Sequence, residues 1–401
     1  MDERLILAHV AGGVVFGVEV MIGWAFLLQA ATATASVPPP DSDIVVVARN
    51  VAGAKRALDA CIARQCPPNE EIKTALVYAT RQFLAGDYAS SRQTLLKTRH
   101  RTAKFGAKYP IEVSDLHRAL NSLANLDGRP DSARLSALDA ADALKAGLSP
   151  DDPLILLQRL DTAGQFAREG RIVAARQILD DVASKAHKKG YYGVEAQALF
   201  RGATLYAALA NASPDYRDTA KLWRNRIAKR TEPEFAEYRD ALGLLDVKIA
   251  ALNAKPHELA RIIAEAKPVV GDETVLLSEP QVYFSDTESQ VEGYGAGNTA
   301  PEWADVAFWV RPDGSVADVT VVGRSKSPPG SWLAKKVKAV AGRRYAPLKR
   351  PSNDPGLYRV ERYSMVHSLG TSTGSHIPIR SARGQLETTD VTLAHQAPSA
   401  S

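Results

Sequence analysis

The sequence predicts a mainly α-helical chain, in which a stack of antiparallel helix pairs is followed by a small α+β domain. The first observation is a repeat: Gly86, Gly128 and Gly170 stand 42 residues apart, each between two stretches with apolar residues at helical spacing. The second is a change of period, because apolar residues alternate with others from Trp303 onwards, as in a half-buried strand. With 401 residues, 45% of them hydrophobic, the chain is long enough for two or three domains.

The first 36 residues are predicted to direct the chain to the cell envelope. Residues 5–35 are almost uniformly apolar and end in small residues, which is typical of a cleaved secretory signal peptide. Their length also suits an uncleaved anchor in the inner membrane, which is the alternative. In both cases the remainder is expected to lie in the periplasm. Residues 37–56, which begin with a run of prolines, are expected to form a linker.

Residues 57–268 are predicted to form the helix pairs. Each repeat glycine can adopt a positive φ, which ends one helix and lets the chain reverse. A fourth pair is expected to turn near residues 211–216, and a fifth helix pattern covers 235–252. Residues 269–302, rich in Gly, Ser and acidic residues, are expected to be a second linker. One arginine follows each glycine by six residues, and structural salt bridges are the expected role of all three: Arg92, Arg134 and Arg176.

The chain has two cysteines, Cys61 and Cys66. Residues five apart on a continuous helix lie on different faces, too far from each other for a disulfide. Pro67 and Pro68 disfavour helical geometry at Cys66, so a local disulfide becomes feasible if the helix ends between the cysteines. Two alternatives stay open, this disulfide or two free thiols, and the disulfide is favoured.

The small domain is predicted over residues 303–369, in the order strand, strand, helix, strand. The first two strands flank a Pro-Asp-Gly turn at 312–314, where glycine is free to adopt a positive φ. Ser331 can cap a short helix with apolar residues at helical spacing. A last strand is expected over 357–368, and residues 370–401 are expected to form a tail.

This small domain resembles the TonB C-terminal domain in three segments, "VAFWVRPDGSVADVTVVGRS", "WLAKKVKAVAGRRYAPL" and "YRVERYSMV". The helical part is similar to tetratricopeptide-like repeats, although its period is longer than is usual in that family. The whole chain resembles a group of proteobacterial envelope proteins that combine both parts and have no defined activity. Unlike a true energy transducer, it has no long Pro/Lys/Glu-rich spacer and no Ser-x-x-x-His pattern in its N-terminal segment.

The resemblance implies binding rather than catalysis. A TonB-type domain recruits a short extended peptide, which adds as a strand along an open sheet edge. The expected partner is therefore a protein or peptide of the envelope, with a TonB-dependent receptor of the outer membrane as one candidate. The residues expected to contact it lie in the hairpin and just after the helix of this domain: Arg311, Arg324, Arg343, Arg344 and Tyr345.

The charge pattern and the motifs of the sequence favour some classes of ligand and argue against others. Residues 319–353 contain nine Lys or Arg and no Asp or Glu, which would also suit anionic lipid headgroups or peptidoglycan. Nucleic acid is not expected, because the chain is predicted to be exported and the run does not interleave aromatic residues in the manner of a base-stacking platform. No metal or cofactor is expected, since the eight histidines show no H-x-x-x-H spacing. Ser372 lies in a G-x-S-x-G pattern without the surrounding strand and helix of a hydrolase, so no catalytic residue is expected.

The function expected from the sequence is that of a periplasmic, non-enzymatic scaffold or adaptor. It would bind one protein or peptide in the groove of the helical repeats and another along the open strand edge. The alternative is a membrane-anchored energy transducer of the TonB type, which serves outer-membrane transport.

Overall fold

The structure is a computed structural model that describes residues 42–282, 301–325, 330–371, 378–381 and 384–395. This part of the chain is mainly helical, with a small sheet-containing region at its C-terminal end. The predicted signal peptide or anchor, residues 1–36, lies outside the described residues. Among the helices that the structure does describe, none combines the length and the apolar character needed to cross a bilayer.

The helices follow one another along the chain, and each packs against the next. Proline opens five of them, at a position where its missing N–H leaves no helical hydrogen bond unmade. Those that precede the sheet are α1 (Ser42–Ala63), α2 (Pro68–Leu84), α3 (Tyr88–Thr102), α4 (Pro110–Leu126), α5 (Pro130–Gly147), α6 (Pro153–Arg168), α7 (Ile172–Lys188), α8 (Tyr192–Ala212), α9 (Arg217–Ala228), α10 (Ala236–Asn253) and α11 (Pro256–Ala264).

The first helix begins earlier than the sequence predicted. It starts at Ser42, so most of the predicted linker at 37–56 is helical. The β-branched residues at 44–47 cost less than about 0.7 kcal/mol each in a helix, and this helix packs against α2. It ends at Ala63, and this end brings Cys61 and Cys66 together in a disulfide with a Cα–Cα distance of 5.1 Å.

The repeat glycines lie where the helices end, and the structure gives each a positive φ. The angle is 80° at Gly86 between α2 and α3, 66° at Gly128 between α4 and α5, and 72° at Gly170 between α6 and α7. In the two turns that contact the sheet, the glycine N–H bonds back to the last helical turn, to Phe83 and to Asn125 respectively.

The main sheet has four antiparallel strands in the order β3-β2-β5-β8. The strands of the C-terminal region are β1 (Leu276–Ser278), β2 (Glu302–Val310), β3 (Val316–Arg324), β4 (Arg344–Tyr345), β5 (Leu357–Val366), β6 (Leu369–Thr371), β7 (Pro378–Arg380) and β8 (Gln385–Asp390), with the helix α12 (Trp332–Ala341) between β3 and β4. Short pairs form between β1 and β4 and between β6 and β7.

Two segments that the sequence assigned to a linker and a tail belong to this folded region. In the predicted linker at 269–302, Val275 and Leu277 are buried and β1 pairs with β4. In the predicted tail at 370–401, β8 pairs with β5 from Glu361↔Asp390 to Val366↔Gln385. Both segments are polar overall, so their sequences do not indicate that they pack against a core formed by residues that are distant in the chain.

The sheet lies between two apolar layers. One face of β2, including Val306 and Phe308, packs with Trp332 of α12 and with residues of α10 and α11. The other face, including Trp303 and Ala307, packs against α2, α3 and α4. Burial on both faces explains why β2 is buried at nearly every position instead of at alternate ones.

Candidate functional site

The turns between the helices hold the sheet at successive points. A Cβ atom at Gly86 would overlap the Trp303 ring, and one at Gly128 would overlap the backbone of His367. At the end of α6, Arg168 Nη1 donates to both carboxylate oxygens of Glu387 on β8, at 2.9 Å each. Two turns of the helical region and the end of α6 are therefore in contact with the protein's own C-terminal region.

A buried ion pair lies at the centre of this contact. Arg362 of β5 donates to both oxygens of Asp305 of β2, at 2.6 and 2.8 Å, and to the carbonyls of Phe83 and Leu84 at the end of α2. Burial alone would raise the pKa of Asp305, but the hydrogen bonds from Arg362, together with the nearby His395 at 3.6 Å, outweigh it and lower the pKa. This pair connects the sheet to the end of α2, and its two opposite charges neutralise each other.

Two of the five predicted contact residues are buried, which corrects their expected role. The side chain of Arg343 is 1% exposed and pairs with Glu361 at 2.7 Å and with Glu279 at 3.1 Å. Tyr345 is 3% exposed, and its hydroxyl accepts a hydrogen bond from Arg343. The acidic partners come from segments 18 and 64 positions away in the chain, so the local run of basic residues did not reveal them.

The other three predicted residues are exposed, but they do not form one cluster. Arg311 and Arg344 lie at the hairpin turn, where their charges help to lower the pKa of Asp313 after the larger effect of its hydrogen bonds with Ser315. Arg324 ends β3 at the opposite end of the hairpin, paired with Ala304 of β2. Over a nine-residue strand this separation is about 26 Å.

The edge of the last predicted strand is closed, although the sequence did not indicate which edge of the sheet would be open. Its β5 backbone pairs with β8 over six residues of the chain's own C-terminal segment. The two outermost strands are then β3 and β8. The exposed ends of β8 are Gln385 and Asp390, and polar or charged edges disfavour the addition of another strand.

Strand β3 is the other outermost strand, and its pairing with β2 shifts register at two points, one near Asp318, whose φ is 53°, and one at Val322. It is nine residues long, and five of its positions are exposed to solvent. Val321 and Val322 are 39% and 43% exposed, although large apolar residues are normally buried at these positions of a sheet. Within the part of the chain that the structure describes, β4 approaches this outer side at its start, through a bridge between Ser315 and Arg344. The adjacent valines were visible in the sequence, but which strand would be outermost was not.

Ser372, the serine of the G-x-S-x-G pattern, lies outside the residues that the structure describes. The same residues contain no cluster of three or more potential metal ligands. Comparison with models of known families, with curated proteins and with solved structures finds no match for the chain.

Proposed function

We propose that this chain is a non-enzymatic scaffold of the periplasm that binds an extended segment of a partner protein along the outer edge of β3. In this proposal the helices form a tetratricopeptide-like solenoid, and the strand-strand-helix-strand unit is a TonB-like domain. The observation that carries it is the β3 edge, which no other strand of the described residues covers, because an unpaired strand edge offers a row of backbone donors and acceptors for an added strand.

The surroundings of β3 favour a partner segment with apolar and acidic residues. Val321 and Val322 supply apolar surface, and Arg324, exposed at the end of the strand, supplies a positive charge. Arg311 and Arg344 add positive charge at the hairpin turn. Backbone pairing would supply affinity, while these side chains would select the sequence of the segment. A peptide or loop of an envelope protein, including a TonB-dependent receptor, meets these requirements.

The test compares partners captured in envelope fractions by crosslinking and identified by mass spectrometry. The variant Val321→Glu/Val322→Glu places two acidic side chains on the proposed docking edge, which should repel an acidic extended segment. The matched control is Val173→Glu, at an apolar position of α7 that is 71% exposed and belongs to the helical region. Partners should be captured by the wild type and by the control, and lost in the β3 variant.

Capture of the same partners by the β3 variant would refute docking at this edge. Point variants are preferable to deletion of the C-terminal region, because deletion would uncover the turns at Gly86 and Gly128 that pack on the sheet. New apolar surface of this kind would attract proteins non-specifically.

The membrane-anchored transducer is the second candidate, and the long apolar run at 5–35 favours it. Fractionation with sequencing of the mature N-terminus distinguishes the two. The scaffold requires a processed chain in the soluble periplasmic fraction, whereas the transducer requires an intact N-terminus in the inner membrane.

A further inference from the structure

The helices of the repeat region end alternately on two sides of the molecule. Successive helices pack against each other through short connections, so neighbours run antiparallel. The turns after α2 and α4 contact the C-terminal region. The turns after α3, α5 and α7 therefore lie at the opposite ends of these helices. We call these three the distal turns: residues 103–109, 148–152 and 189–191.

The distal turns form one continuous surface. A Cβ atom at Gly147, the last residue of α5, would approach the carbonyl oxygen of Ala107 in the first distal turn within 2.7 Å. Lys189 Nζ of the third turn lies 2.8 Å from the carboxylate of Asp151 in the second, and the Tyr191 hydroxyl donates to the Asp151 carbonyl at 2.9 Å. Direct contacts thus join the first turn to the second and the second to the third.

Positive charge is concentrated at the first distal turn and the end of α3. Residues 97–109 contain five Lys or Arg and no Asp or Glu. Arg101 is neutralised by Glu71, at 2.6 Å. The three lysines of this stretch are all exposed, and none has an acidic partner within the described part of the chain: Lys97, Lys104 and Lys108.

Two aromatic rings lie beside these ammonium groups. Lys104 Nζ is 5.3 Å from the centroid of the Phe105 ring, and Lys108 Nζ is 5.3 Å from that of the Tyr109 ring. Both rings are half-buried, so each keeps part of its surface in solvent. Neighbouring cationic and aromatic side chains suit the surface of a bilayer, because the rings enter the headgroup region while the ammonium groups contact lipid phosphates.

The third distal turn has a similar composition. Residues 185–192 contain three Lys, no Asp or Glu, and two adjacent tyrosines. Lys188 is exposed and has no acidic partner among the residues that the structure describes, while the other two lysines pair with Asp181 and Asp151. Positive charge is therefore present at both ends of the distal surface.

The acidic residues of the distal turns are already engaged within the chain. Asp151 pairs with Lys189, and Asp152 begins α6 by accepting a hydrogen bond from the Leu154 N–H at 2.9 Å. Across residues 97–109, 148–152 and 185–192 there are eight Lys or Arg and two Asp. The surface thus keeps an excess of positive charge that an anionic partner can neutralise.

We propose that the distal turns are a docking surface for an anionic lipid bilayer. Charge complementarity selects this occupant, since lipid phosphates supply many negative charges in one plane and the basic turns lie side by side. The half-buried rings of Phe105 and Tyr109 favour a bilayer over an acidic protein, because aromatic residues partition into the headgroup region. The surface does not include β3, so this inference is independent of the peptide docking proposed above.

The first test places a thiol-reactive, environment-sensitive fluorophore on Ala107→Cys in the full chain, whose own cysteines are joined in a disulfide. Ala107 is exposed between Lys104 and Lys108. Phosphatidylglycerol vesicles should shift the emission to the blue, and phosphatidylcholine vesicles should not. The matched position is Val173→Cys, 71% exposed at the other end of the helices, which should not respond. Because the probe reports its own surroundings, insertion of the apolar N-terminal segment does not imitate the signal.

The second test reverses charge at the surface. Lys104→Glu/Lys108→Glu should weaken binding to phosphatidylglycerol vesicles, followed with the Ala107 probe, at least about thirtyfold, since each lysine near an anionic surface contributes about fivefold. The matched control is Lys338→Glu/Lys349→Glu, which makes the same change in net charge at two exposed lysines of the C-terminal region and should bind as the wild type does.

Three results would overturn the proposal: no shift at Ala107 with phosphatidylglycerol vesicles, an equal shift with phosphatidylcholine vesicles, or equal weakening by the two charge reversals. The last of these would show that only the net charge of the chain matters. Binding to soluble polyglutamate without binding to phosphatidylglycerol vesicles would also overturn it, because that result identifies an acidic protein as the occupant.

Discussion

The Arg362–Asp305 pair makes a quantitative prediction about how the sheet is held to the helices. Arg362→Met keeps most of the side-chain volume and removes the charge. It leaves Asp305, whose side chain is 3% exposed, as a buried carboxylate without its main partner, and it removes the donors to the Phe83 and Leu84 carbonyls. Breaking a buried ion pair in this way costs about 3–5 kcal/mol.

Urea unfolding of wild type and variants measures this cost. The double variant Asp305→Ala/Arg362→Met should be less destabilised than the sum of its single variants, because no uncompensated charge is left. The matched control is Arg261→Met, whose pair with Glu265 has exposed side chains at 67% and 61%, so that its loss should cost less than about 1 kcal/mol. A cost for Arg362→Met similar to that of the control, or strict additivity in the double variant, would refute the reasoning.

The other predictions concern the turns and the titrating groups of the same interface. Gly86→Ala and Gly128→Ala should destabilise the chain more than Gly190→Ala in the same unfolding assay: all three glycines have a positive φ, which costs about 1–2 kcal/mol for alanine, but a Cβ at Gly190 meets open space. Equal costs would show that the turns are not in tight contact with the sheet. Burial raises the pKa of Glu387 despite Arg168, so stability should fall as the pH rises from about 4.3, the unfolded-state value, through the folded-state pKa, and Glu387→Gln should flatten this fall. The pKa of Asp305 is lowered, so the contribution of this group to stability is present above about pH 3.9, the unfolded-state value, and should be lost as the pH falls through the folded-state pKa. Asp305→Asn should remove this pH-dependent loss. A pH profile of unfolding that these two variants leave unchanged would contradict both assignments.

The local features of the fold were the ones that the sequence could predict. The positive φ of Gly86 and Gly128 follows from turn chemistry within a few residues, and so does the hairpin at 312–314. Strand β8 could not be predicted in this way. Its residues are mostly polar, and its contacts come from segments that are distant in the chain: it pairs with β5, and Glu387 accepts hydrogen bonds from Arg168, 219 positions away.

The predicted contact residues differ in their burial for the same reason. The exposure of Arg311, Arg324 and Arg344 agrees with a surface role, whereas Arg343 has acidic partners that only the folded chain supplies. The closed edge of β5 was not visible either, because a strand edge is open or closed according to which other segment reaches it. Sequence patterns describe single elements, but an edge is a property of the whole sheet.

Photocrosslinking from β3 tests the proposed docking most directly. A photoreactive residue is placed in turn at Thr320, Val322 and Arg324, which are exposed along this strand, and the crosslinked residues of the partner are mapped by mass spectrometry. Edge pairing predicts that all three positions reach one short segment of one partner, with the contact point moving steadily along that segment from one position to the next. Crosslinks scattered over unrelated surfaces, or none at all from β3, would contradict it.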